Sequence, residues 1–250
     1  MIRRPPRSTL DRSSAASDVY KRQSLDMPGH GHSSHRPPGT SYHFVDMLFE
    51  VVEVLDQLGW EECSLIGHSM GAGVATCVAG ILRERVKRLI LVEGLGPLSQ
   101  PAEKVTELMR DSIQQWNSLK TKKSPVYQIR EDAVRARHFA GKLKKSSVET
   151  LVARGLGENT DGLVWRSDPR LRIKSRLYLS EAQILQMIQD ITAHVLVIEA
   201  EDTDTRRWVD LLRSRLGYVK NLDHRILPGG HHLHLDEPQS VASAIKDFLK

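Results

Sequence analysis

The chain has 250 residues, enough for one sizeable domain with room for an insertion. Of its formal net charge of +5, +4 sits in the first 24 residues, where six basic side chains face two acidic ones; the rest is near neutral at +1, which removes charge as an argument for nucleic acid. No apolar run reaches membrane-spanning length, and the two cysteines, Cys63 and Cys77, have no metal or redox spacing, so the expectation is a cytoplasmic protein without a membrane span.

Residues 1–24 are rich in Arg, Ser and Pro and show no apolar period. They read as a non-native or disordered leader. Their text resembles translated sequencing-adapter DNA more than a transit peptide, which would lack the two aspartates and the Pro-Pro pair. On that reading the parent's own N-terminus is missing. A loop dense in Gly, His and Ser follows, "LDMPGHGHSS". Residues 41–58 then carry Phe44, Val45, Leu48, Val51, Val52, Leu55 and Leu58 on one helical face, between Ser41 as N-cap and Gly59 as stop. "CSLIG" reads as a short buried strand, residues 70–84 as a helix opening on small residues, and "RLILVE" as a second strand.

From about Pro97 to Asp190 the pattern turns helical. Val105, Leu108, Met109, Ile113, Trp116 and Leu119 mark one helix. Ser146 with Glu149, and Ser180 with Gln183, have capping-box spacing before two others. "TDGLVWRSDPRL" reads as a loop. After this come a strand "HVLVIEA", a helix over 205–216, a strand "HRILP", a loop "GGHHLHLDEP" and a helix from Pro238 with Val241, Ala242, Ile245, Phe248 and Leu249 inward. Strands alternating with helices predict an α/β fold: a doubly wound, mostly parallel sheet. The core is residues 25–96 and 191–250, and residues 97–190 form a helical cap.

The stretch "SLIGHSMGAG" places Gly-His-Ser-Met-Gly at a strand-to-helix junction. A serine hydroxyl needs a base, a carboxylate to orient that base, and donors for an oxyanion before it attacks a carbonyl. Such a turn exposes Ser69 and puts the Met70 N–H where it can stabilise the oxyanion. The motif alone arises by chance in about one chain of this size in ten. Its context, and a histidine after the last strand, give it weight.

Three motifs, "DMPGHGHS", "GHSMG" and "GGHHLHLDEP", resemble the α/β-hydrolase superfamily. With the cap sequence "GLVWRSDPRL", they look most like its serine hydrolase-like branch and bacterial relatives. The resemblance implies His231 as base and His234 as a supporting residue. A metal site of His231, His234 and Asp236 is the less favoured reading, so no metal and no cofactor are expected. The acid stays open. The family position after "HVLVIEA" falls on Thr203, flanked by Asp202 and Asp204, and the other family position is Glu93. His30 and His32 read as loop structure near the site mouth. Trp116 and Trp165 read as cap core.

The resemblance also implies a second oxyanion donor from a loop upstream of "DMPGHGHS", and a strand pairing with "CSLIG". Nothing in residues 1–24 reads as either, so a bare sheet edge and impaired activity are expected. The implied function is a serine hydrolase cleaving an ester or related acyl bond of a small, largely apolar molecule. The rivals are a non-catalytic binding protein of the same fold, and a carbon–carbon bond hydrolase or cofactor-free peroxidase.

Overall fold

The computed structural model describes residues 22–203 and 206–250. Most of the expected leader, and the candidate acid Asp204, lie outside these residues. In chain order the elements are α1 (Phe44–Gln57), β1 (Cys63–His68), α2 (Met70–Leu82), β2 (Val86–Val92), α3 (Val105–Leu119), α4 (Arg130–Phe139), α5 (Lys145–Gly155), β3 (Leu156–Asn159) and β4 (Gly162–Trp165). They continue with α6 (Glu181–Gln189), β5 (His194–Ala200), α7 (Arg206–Leu216), β6 (Leu222–Leu227), α8 (Leu233–Asp236) and α9 (Pro238–Phe248).

Among the described residues the main sheet runs β1-β2-β5-β6, every neighbouring pair parallel. β2 and β5 are nearly continuous apolar runs because both of their faces are covered. On one face Leu89, Leu91, Val195 and Val197 pack with Ala72, Ala75 and Ala79 of α2, Ile184 and Ile188 of α6 and Leu212 of α7. On the other, Ile90, Val92, Leu196 and Ile198 pack with Val241, Ala244 and Phe248 of α9. β1 is the edge strand among the described residues, and its Ile66 is 60% exposed.

The small residues of α2 are explained by how closely it is approached. A Cβ on Gly80 would stand 2.3 Å from the Met187 carbonyl oxygen of α6. α6 therefore belongs with the sheet core, although the sequence pattern groups it with the cap. The residues between β2 and α6 have their own small core of Ala133, Val134, Leu143, Val148, Val152 and Leu156, with Trp165 packed against it.

Several local expectations are corrected. The stretch "TDGLVWRSDPRL" is not all loop: β3 and β4 form an antiparallel hairpin, turned where the Asn159 side chain accepts from the N–H groups of Asp161 and Gly162. Helix α1 starts with His43, not Ser41, in the cap position, and it buries Met47 while Val45 and Leu58 face out. The Ser146 capping box does not form, because α5 begins two residues earlier than that box requires, with Lys144 in the cap position and its N–H donating to Asp236 Oδ1. The Ser180–Gln183 box does form. Helix α3 leaves Val105, Met109 and Ile113 exposed. Ala242 of α9 and Leu249 just after it face outward. No described helix is long and apolar enough to cross a membrane.

Candidate active site

The carboxyl ends of four parallel strands converge, which is where open α/β sheets hold their ligands. Ser69 follows β1, Glu93 follows β2, Thr203 lies just after β5, and His231 follows β6. Ser69 has φ 51° and ψ −113°, a conformation non-glycine residues rarely adopt, at a cost of about 1–3 kcal/mol. The fold holds it there by the Ser69 N–H to Val92 carbonyl bond (3.0 Å) and by the Gly73 N–H donating to the Ser69 carbonyl (3.1 Å). Of the two glycines in the motif, only Gly67 is sterically required. A Cβ there would stand 2.3 Å from the Gly71 carbonyl oxygen, whereas one on Gly71 meets nothing within 4 Å.

His231 bridges the other two groups. Its Nε2 is 2.9 Å from Ser69 Oγ, and its Nδ1 is 3.1 Å from Glu93 Oε2. A carboxylate can only accept, so Nδ1 carries the ring proton and Nε2 is free to accept from the serine. Glu93 is 1% exposed and also sits at positive φ (52°). Its Oε1 accepts from the Ala200 N–H (2.6 Å), and its Oε2 also accepts from Thr203 Oγ1 (2.6 Å). Burial pushes its carboxyl up, but the hydrogen bonds from His231, Thr203 and Ala200 together outweigh burial. Its pKa therefore lies below the ordinary glutamate value. The Glu93 carbonyl accepts from Trp208 Nε1 (3.1 Å), which fixes the backbone of the turn.

The structure thus brings Ser69, His231 and Glu93 together and leaves Asp202 apart. Asp202 is exposed, and its backbone N–H pairs with the Gly229 carbonyl (3.0 Å). The Met70 N–H is the first of α2 and has no partner within the helix by position. Residues 1–21, in which no second donor could be read, lie outside the described residues. His30 bonds to the Pro28 carbonyl through its own ring (3.3 Å) and stays within its loop. That loop is tied to the cap by Asp26, which accepts two bonds from Arg154 (2.9 and 2.7 Å). Trp116 lies under the Arg176 guanidinium on the cap surface.

His234 is set against His68, with ring centroids 4.1 Å apart, rather than against the Ser69–Glu93 line. The metal set His231, His234 and Asp236 is not assembled. His231 is engaged as above, and Asp236 serves the start of α5. His68 donates from Nε2 to the His231 carbonyl (2.7 Å) and so steadies the loop carrying the candidate base. Burial, and then the neighbouring His234, push the His68 pKa down to about 3. Burial, and then His231, push that of His232 down to about 4. Thr203, Trp208 and His68 are the site residues the sequence reading missed. Only Thr203 left a signal, by standing where the family writes its acid.

A family model described as alpha/beta hydrolase fold matches residues 13–238, starting inside the segment read as a leader. A serine hydrolase-like protein of Dictyostelium discoideum is 28% identical, over 90% of this chain and 66% of its own length. Another, from Danio rerio, is 31% identical over 90% of this chain and 72% of its own. The crystal structure of a hypothetical protein from Pseudomonas aeruginosa superposes with a TM-score of 0.80 at 38% identity, covering 89% of this chain and 79% of that one. With its parallel sheet and its serine at the turn after β1, the chain belongs to the alpha/beta hydrolase fold family.

Proposed function

We propose that the chain is a serine hydrolase that cleaves an ester or related acyl bond of a small, largely apolar molecule. The observation carrying this reading is the unbroken line from Ser69 Oγ through His231 to the buried Glu93 carboxylate. Ser69 Oγ forms a bond to the substrate carbonyl carbon while its proton passes to His231 Nε2. The negative charge left on the carbonyl oxygen is met by the Met70 N–H at the positive end of α2. The imidazolium is stabilised by Glu93. It gives its proton to the leaving alcohol as the C–O bond breaks, and an acyl-serine remains. Water then repeats the sequence, with His231 taking its proton and returning it to Ser69. The relatives named as serine hydrolase-like support the class of reaction.

The test is labelling with a fluorescent phosphonate that reacts only with activated serines. The native chain should label and Ser69→Ala should not. A native chain that binds acyl esters yet never labels would make it a binding protein built on a hydrolase scaffold.

A further inference from the structure

We propose that His68, His232 and His234 form a binding site for a divalent transition metal of the zinc class. Each of the three offers a ring nitrogen, and these nitrogens lie within 4.8 Å of one another. The rings stand 4.1 Å (His68–His234), 5.2 Å (His68–His232) and 6.0 Å (His232–His234) apart between centroids.

Two further observations point to a ligand. His234 Nδ1 is buried and has no hydrogen-bond partner, a condition that costs free energy unless something occupies that direction. His68 donates from Nε2 to the His231 carbonyl, which leaves its Nδ1 lone pair free. A ring proton committed to a carbonyl is the usual outer support of a metal-bound histidine.

Around a tetrahedral zinc ion with bonds of about 2.05 Å, nitrogens sit about 3.3 Å apart. The rings would close by up to about 1.5 Å, within reach of side-chain rotation. Imidazole suits zinc, copper and nickel, and does not suit magnesium or calcium. His68 ends β1, and His232 and His234 lie at the start of α8. From the sequence alone the loop offers too few ligands, and His68 supplies the missing one.

The ion would not need His231, whose two ring nitrogens already serve Ser69 and Glu93. It would still be close to that ring, which stands 4.9 Å from His68 and 5.1 Å from His232. The binding stands on the three histidines alone.

The experiment is calorimetric titration of the full chain with zinc chloride, repeated with cobalt(II) to read the visible absorption of a tetrahedral site. The expected result is one saturable equivalent, weakened at least tenfold by His234→Gln and unchanged by His231→Gln. His232→Gln serves the same purpose if His234→Gln does not fold. Absence of saturable binding, binding retained in both histidine variants, or binding lost in His231→Gln would each overturn the site. Saturable binding in a chain that never takes the phosphonate would keep the site and sink the hydrolase reading.

Discussion

Replacing Glu93 by glutamine is the sharpest perturbation the site offers, because the surrounding donors dictate how the new amide must sit. The Ala200 N–H points at Oε1 from 2.6 Å, so the amide nitrogen cannot take that place without setting two donors against each other. The nitrogen is forced into the Oε2 position, facing Thr203 Oγ1 and His231 Nδ1. The threonine hydroxyl can turn and accept. His231 Nδ1 can accept only by giving up its proton, which moves to Nε2 and faces Ser69 Oγ, 2.9 Å away. The base is then held in the tautomer that cannot accept the serine proton, and the imidazolium loses its counter-charge. Such a change is worth a factor of roughly 10³–10⁴ in kcat, or about 4–5.5 kcal/mol of transition-state stabilisation. The assay is hydrolysis of a p-nitrophenyl ester under saturating substrate, with Asp202→Asn beside it and melting curves for both. A kcat for Glu93→Gln within tenfold of the native chain, together with a large loss in Asp202→Asn, would refute the assignment of the acid.

Three other predictions follow from the same geometry. Arg215 is 1% exposed, pairs with both oxygens of Glu181 and donates to the carbonyls of Leu95 and Pro97. Arg215→Met strips all of these at once and should cost about 3–5 kcal/mol in denaturant unfolding. Gly67→Ala pushes a methyl against the Gly71 carbonyl and should cost about 1–3 kcal/mol while abolishing phosphonate labelling, whereas Gly71→Ala should keep both. Glu93 is held below its ordinary value, so its stabilisation is full above that value and is lost as pH falls through the lower, folded one. Unfolding free energy should therefore drop with acidification below about pH 4.5, and Glu93→Gln should flatten that slope.

The fold was legible because the strands and the helix after Ser69 are strongly patterned. β2 and β5 carry long apolar runs, Leu89–Val92 and Val195–Ile198, and α2 opens on residues too small to serve anything but close packing. The cap hairpin was not legible, since four-residue strands such as β3, three-quarters of it polar or glycine, show no alternation to read. The stripe on α3 follows the helical period but points outward, and periodicity reports a face without saying what covers it. At the site, the serine and histidine were carried by local motifs. The carboxylate was not, because three acids stood in or near two permitted places. The choice depends on Ala200 and Thr203, donors brought to Glu93 by strand pairing across more than a hundred positions. His68 was missed for a similar reason: its partners all come from a loop on the far side of the cap.

The position of Glu93 has a consequence for how this scaffold is held together. Ser69 and Glu93 end two neighbouring, hydrogen-bonded strands joined by α2 alone, so both belong to one β–α–β unit. The cap is spliced in after that unit is complete. The segment inserted after it is nevertheless tied to the core: the Asp168 N–H donates to the Gly29 carbonyl, Arg170 donates to the carbonyls of Arg36, Pro37 and Thr40, and Ser147 donates to the Leu235 carbonyl. On the proposed chemistry, strand pairing keeps Ser69 and Glu93 in register, while the segment between β2 and α6 is held by its ties to the loop before α1 and to α8.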